Sequence, residues 1–138
     1  MRGVKRQRYS PSRARRPFQH GKEELEMFVF FDYCKLRSGQ HPAYELAWHV
    51  PNEGKASIQR RASLKRAGLK KGVPDISVPY PNGKYGGLYI EMKVKPNKPS
   101  PEQLQLIEAL NRVGNYAAVC WSAEDAIVLL ERYIAGKL

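Results

Sequence analysis

A chain of 138 residues, 42% of them apolar, can fill one modest core, and a formal charge of +11 directs attention to polyanionic partners. No apolar run approaches the ~20 residues of a membrane span, Met27 to Phe31 being an obvious one, and the basic N-terminus is followed by no apolar stretch of the kind a secretory signal needs. Cys34 and Cys120 have neither metal-ligand spacing nor a motif around them, so they read as reduced, buried small apolar groups of a cytoplasmic protein.

Residues 1–21 read as a flexible basic arm, Arg-rich and broken by Ser10-Pro11-Ser12 and Pro17, with little to bury. Lys22 to about Leu36 turns helical: Glu23, Glu24 and Glu26 suit the positive end of a helix dipole, and Met27, Phe28, Phe30, Phe31 and Cys34 follow as an apolar block. Gly39 to Glu53 is expected to be irregular, punctuated by Pro42, Pro51 and Gly54, with a short strand around Leu46 to Val50. Ser57 to Ala67 predicts a strongly basic helix capped by Gly68. Ile76-Ser77-Val78 predicts a short strand, and Pro79 to Gly83 with Gly86-Gly87 supply turn chemistry before a second strand. Ser100-Pro101-Glu102-Gln103 opens a helix by its cap pattern, with Leu106, Ile107, Leu110 and Val113 as its buried stripe and Gly114 as its stop. Tyr116 to Trp121 is an apolar strand, and Ser122 caps a last helix on which Ile127, Leu130 and Ile134 share a side. Strand, helix and strand from Leu88 to Trp121 predict a crossover with parallel strands.

The chemistry concentrates in the hairpin. From Gly87 to Lys95 the alternation is strict: Leu88, Ile90, Met92 and Val94 share the core face, and Tyr89, Glu91, Lys93 and Lys95 the face expected to look into a cleft. Glu91 and Lys93 then project side by side, roughly 6.6 Å apart along the strand. Pro74 holds Val73 extended, and antiparallel pairing across the turn brings Asp75 to the end of the second strand that carries Glu91 and Lys93. A Glu-x-Lys strand alone is usually a solvated face. Two carboxylates converging with an ammonium are what a hard divalent cation, Mg²⁺ or Mn²⁺, needs beside a phosphodiester. The ammonium would stabilise charge developing on the phosphate.

Charge is segregated along the chain. Residues 1–22 carry eight Lys/Arg and no acid, among them Arg13, Arg15 and Arg16; residues 55–71 carry Lys55, Arg60, Arg61, Lys65, Arg66, Lys70 and Lys71, again without an acid. The remainder has nine bases against thirteen acids. Two such segments flanking a metal-type constellation favour a nucleic acid, and these residues are the expected contacts. An anionic membrane fits less well, since neither segment has an amphipathic apolar face.

The ordered run Gly72-Val73-Pro74-Asp75, Gly87-Leu88-Tyr89-Ile90-Glu91-Met92-Lys93 and Ser100-Pro101-Glu102-Gln103 resembles the VRR-NUC domain, the virus-type replication-repair nucleases of the PD-(D/E)xK superfamily. His49-Val50-Pro51-Asn52-Glu53-Gly54 and Leu64-Lys65-Arg66-Ala67-Gly68 resemble its small stand-alone phage and bacterial members, although the family often has a glycine pair where this chain has Glu53-Gly54. The likeness covers roughly residues 22 to 135, so the arm of 1–21 would precede a nuclease domain of 22–138. It implies an α/β fold with a PD-(D/E)xK-type mixed β-sheet flanked by helices, Asp75 and Glu91 as metal ligands and Lys93 as catalytic lysine. It also implies a glutamate from the first helix, with Glu23 favoured by its spacing from Tyr33 and Glu24 and Glu26 still open, and a glutamine, which Gln103 matches. The implied activity is a Mg²⁺- or Mn²⁺-dependent endonuclease acting as a homodimer on branched DNA, Holliday junctions first, in a bacterial or phage-infected cell and with no small-molecule cofactor. A flap-type nuclease and a non-catalytic nucleic-acid-binding module are the alternatives.

Overall fold

Three helices begin at the serines that cap them. In the computed structural model, which describes residues 21–51 and 57–138, five helices appear: α1 (Lys22–Leu36), α2 (Pro42–Leu46), α3 (Ile58–Arg66), α4 (Pro101–Arg112) and α5 (Ala123–Ile134). Ser57, Ser100 and Ser122 each accept a hydrogen bond from the backbone N–H three residues on, and Gln103 closes the box on α4 by accepting from Ser100 N–H at 2.8 Å. At the other end of α3 the Gly68 N–H bonds Lys65 O and the Leu69 N–H bonds Leu64 O, a closure that needs the left-handed φ of +101° at Gly68.

Four strands form one sheet in the order β1 (Trp48–His49), β2 (Ile76–Val78), β3 (Leu88–Met92), β4 (Tyr116–Cys120). The first two pairs are antiparallel, with Ile76 opposite both His49 and Ile90, and β3 runs parallel to β4, so the sheet is mixed as expected. Leu88, Ile90 and Met92 of β3 join Phe30 and Cys34 of α1, Tyr44 of α2 and Leu130 and Tyr133 of α5 in one buried cluster. Each such side chain contributes on the order of 2 kcal/mol from apolar burial. Helix α4 covers the other face, the one bearing Glu91.

Three expectations are corrected. The segment from Gly39 is not irregular: His41 Nδ1 accepts from Ala43 N–H and Pro42 occupies the first turn, so the proline opens α2 instead of breaking the chain. Strand β1 consequently shrinks to Trp48–His49. Val113 does not extend the buried stripe of α4: it is the C-cap residue and 75% exposed, while Leu106, Ile107 and Leu110 are half-buried. Phe28 of the α1 block is likewise exposed, at 43%. Residues 1–20 and 52–56, and with them Arg13, Arg15, Arg16, Lys55 and the Glu53-Gly54 pair, lie outside the described residues.

Candidate active site

Asp75 is fastened from two sides. Its carbonyl oxygen accepts from Val50 N–H at 2.8 Å and from His49 Nδ1 at 2.9 Å, which ties the residue to the end of β1. Its carboxylate Oδ2 accepts from Met92 N–H at 2.8 Å, so the side chain bridges from β2 to the end of β3. The segment entering Asp75 is seated on α4 through Gly72. A Cβ there would lie 2.7 Å from the Glu102 carbonyl carbon and 2.9 Å from Gln103 N, and the backbone has φ +88°. Glycine is therefore required twice over, for the contact and for the dihedral.

Glu91 is 1% exposed. Both faces of β3 are covered, so its side chain lies beneath α4 and does not itself line the cleft; this corrects the expectation of an open Glu91 face. One oxygen, Oε1, accepts from Gln103 Nε2 at 2.6 Å and is 3.1 Å from Lys93 Nζ. Gln103 thus works at both ends of its amide, the oxygen on the Ser100 cap and the nitrogen on Glu91. The other oxygen, Oε2, is buried and has no hydrogen-bond partner. An orphaned carboxylate oxygen in a dry place is costly unless a cation supplies the missing interaction. Burial, and secondarily the Asp75 charge, push the Glu91 carboxyl up to about 7 against the pull of Lys93. Burial likewise raises Asp75, opposed by the Met92 N–H and Lys93.

The glutamates on α1 are sorted by the turn of the helix. Glu26 Oε2 accepts from Ala123 N–H at 2.7 Å and so serves the N-terminus of α5. Glu23 accepts from Asn97 Nδ2 at 3.2 Å, beside the loop that leaves β3, and its charge is felt at Asp75. Among the described residues no three His, Cys, Asp or Glu side chains gather closely enough to hold an ion between them. The candidate donors are Asp75 and Glu91, near enough for the charge of the first to act on the second, and such a pair suits a hard cation that takes one or two carboxylates and fills its remaining positions with water and substrate oxygens.

Asp75, Lys93 and Gln103 open into a cleft of about 980 Å³. Arg61, Lys65, Lys70 and Lys71 of the basic segment line it, and so do Lys98 and Ser100. Lys98 is a functional candidate that sequence reasoning missed, since a single lysine in a Pro-flanked loop carries no pattern. Arg60 and Arg66 are exposed but stand outside the cleft lining.

A mixed sheet whose antiparallel pair brings an aspartate to a Glu-x-Lys strand, with helices on both faces, is the arrangement of the PD-(D/E)xK nucleases. The chain belongs to the VRR-NUC family: the VRR-NUC domain profile matches residues 31–124, well over half of the sequence. It is similar to a solved VRR_NUC domain protein at 27% identity and a TM-score of 0.72, with 86% of this chain and 92% of that one covered. A second solved structure, a VRR_NUC domain, shares the fold at 21% identity and a TM-score of 0.51, with 83% and 99% covered. No curated protein matches the chain. The protein is a nuclease of the PD-(D/E)xK type, and none of its described helices is long and apolar enough to cross a membrane.

Proposed function

We propose that this nuclease is a divalent-metal-dependent endodeoxyribonuclease that hydrolyses phosphodiester bonds in branched DNA, with four-way junctions as its principal substrate, and that it works as a homodimer, one active site for each of two symmetric strands. The observation that carries the metal is Glu91 Oε2, a buried carboxylate oxygen without a partner next to a second carboxylate. Asp75 and Glu91 would hold Mg²⁺ or Mn²⁺, which would supply Lewis-acid polarisation of the phosphoryl oxygen and lower the pKa of a bound water.

The chain's own residues then divide the work. Gln103 and Lys93 hold Glu91 by the same oxygen, which leaves the other available to a divalent ion. Lys93, with its side chain 12% exposed, reaches the cleft and is placed to stabilise negative charge gathering on the scissile phosphate. Glu23 stands close enough to tune Asp75 and to orient water on the α1 side. Lys65, Lys70, Lys71 and Lys98 bind the flanking phosphates, and the basic arm of residues 1–21 adds affinity. Cys34 and Cys120 are free, buried thiols, which suits the reducing cytoplasm of a bacterial or phage-infected cell.

Labelled junction, flap, single-stranded and linear duplex DNA, incubated with Mg²⁺ or with EDTA, test this reading. Cleavage of the junction into paired nicked products, absent in EDTA and abolished in Asp75→Ala and Glu91→Ala proteins that still bind DNA, is the expected result. Wild-type cleavage by either variant in Mg²⁺ would show that the site has been misplaced. Products confined to flaps would move the substrate to the flap class.

A further inference from the structure

Helix α3 is built without a core. None of its nine residues is buried, Leu64 is half-buried, and Ile58 is 82% exposed. A helix this short is marginal in water, and the like charges of Arg61 and Lys65 one turn apart weaken it further. It is nonetheless closed at both ends, by the Ser57 cap (Oγ to Arg60 N, 3.1 Å) and by the Gly68 termination. The sequence therefore specifies a helix here and leaves its surface for something else.

The distribution of charge on that surface says what. At 3.6 residues per turn, Arg61 and Lys65 share one stripe, Arg60 lies about 120° to one side of it and Arg66 about 120° to the other. The first stripe lines the cleft with Asp75 and Lys93; the other two cations are exposed and lie outside it. No acid lies anywhere in residues 55–71, and Gln59, Ala62 and Ser63 separate the cations on the outer side. An element that points cations away from the strand in its own cleft has a second anionic surface to meet.

We propose that α3 lies between two phosphate backbones, Arg61 and Lys65 holding the strand that enters the cleft and Arg60 and Arg66 holding its complement. An α-helix with its side chains is about 10–12 Å across, and the major groove of B-form DNA is about 12 Å wide. The partner is therefore the duplex arm beside the scissile phosphate, with α3 in its groove. This rests on the reading of the protein as a DNA nuclease, but it is decided by binding alone.

The experiment compares two charge-reversed proteins, Arg61→Glu/Lys65→Glu and Arg60→Glu/Arg66→Glu, in EDTA, by fluorescence anisotropy on a labelled duplex and on one of its strands. The inner pair should weaken binding to both DNAs, by about tenfold or more at low salt. The outer pair should weaken the duplex to a similar degree, leave the single strand within about twofold, and lower the slope of log K against log salt on duplex by about two. Equal losses on both DNAs, or an unaffected duplex, would overturn the two-backbone placement. Melting temperatures should not move, since α3 contributes no core residue; if a reversed protein fails to fold, Arg60→Gln/Arg66→Gln provides the same comparison. Absence of metal-dependent DNA cleavage by the wild-type protein, with these binding differences intact, would count against the DNA-endonuclease reading and leave the placement of α3 standing.

Discussion

Burial makes the ionised form of Glu91 the costly one, and that has a sign in pH. The folded carboxyl, pushed up to about 7 from an ordinary 4.5, keeps its proton across a window in which the unfolded chain has lost it. The metal-free protein therefore loses stability as pH rises through that window and levels off above it, by on the order of 3 kcal/mol. Thermal melting from about pH 5 to about pH 8 should show the decline, and Glu91→Gln should remove most of it and melt higher at the upper end. Mg²⁺ should raise the wild-type melting temperature most at the upper end, because the ion takes the deprotonated carboxylate. An equal pH slope in Glu91→Gln would discard this account. Gly72 gives a second test. Gly72→Ala drives a Cβ into the Glu102 carbonyl at a φ of +88°, so either Asp75 or the start of α4 must shift. We expect a loss of about 1–3 kcal/mol in melting or denaturant titration, and cleavage reduced at least about tenfold at saturating DNA. Wild-type turnover in that variant would mean that the Gly72 seat does not position the site. The sequence placed Asp75, Glu91 and Lys93 on the hairpin and Gln103 at the helix cap, because strand alternation and a cap pattern are local; a role for Gln103 beside Glu91 came only from the family resemblance. It could not choose among Glu23, Glu24 and Glu26, since each step along a helix turns the side chain by about 100° and what it meets is tertiary.

The elements behind the site are clasped by a polar contact that no motif announces. Tyr33 of α1 and Tyr44 of α2 both donate their hydroxyls to Glu131 Oε1 of α5, the second at 2.6 Å, and Arg37 stacks 4.9 Å over the Tyr33 ring. Despite partial burial, the two phenols and Arg37 hold the Glu131 carboxyl below its usual range. This stabilisation is complete above the ordinary carboxylate pKa and is lost as pH falls through the lowered folded value. Glu131→Ala should cost about 2 kcal/mol near neutral pH, and its deficit against wild type should shrink in acid. Cleavage at saturating DNA should be unchanged, because nothing in the clasp reaches the cleft; a turnover defect would tie the α1–α2–α5 layer to the chemistry. Elements were legible in proportion to their length and caps. Helix α4 and strand β3 declared themselves by period and α1 by its acidic first turns and the apolar block after them, whereas α2, five residues long, is shorter than any period can reveal and its Pro42 also suits a loop. The apolar Val113 misled for a related reason, since helical spacing continues to a residue where the helix itself has stopped.

Across the whole molecule, Asp75 in the cleft, with Glu91 buried behind it, sits among basic walls, a separation of roles that the sequence half revealed. The run from residue 55 to 71 was readable as a basic segment, but the meeting of its Arg61, Lys65, Lys70 and Lys71 with Lys93 and Lys98 around the cleft that holds Asp75 is tertiary and no local pattern announces it. Such a site binds the backbone broadly and does chemistry at one point, so affinity and turnover should separate under mutation. Residues 1–20 provide the strongest case: they carry seven Lys/Arg and no candidate for the active site. Removing them takes away counterion-releasing contacts, each worth about 0.9 in the slope of log K against log salt on duplex DNA. The truncated protein should bind DNA more weakly at low salt and show a shallower slope. Its affinity should converge on that of the full chain as salt rises, and it should melt at the same temperature. Single-turnover cleavage at saturating DNA should match the full chain, because Asp75, Glu91, Lys93 and the groups that hold them all lie beyond residue 48. A fall in that saturated rate would mean that the arm orders the site as well as supplying affinity, and binding and catalysis would then not be the separable functions that this arrangement of charges implies.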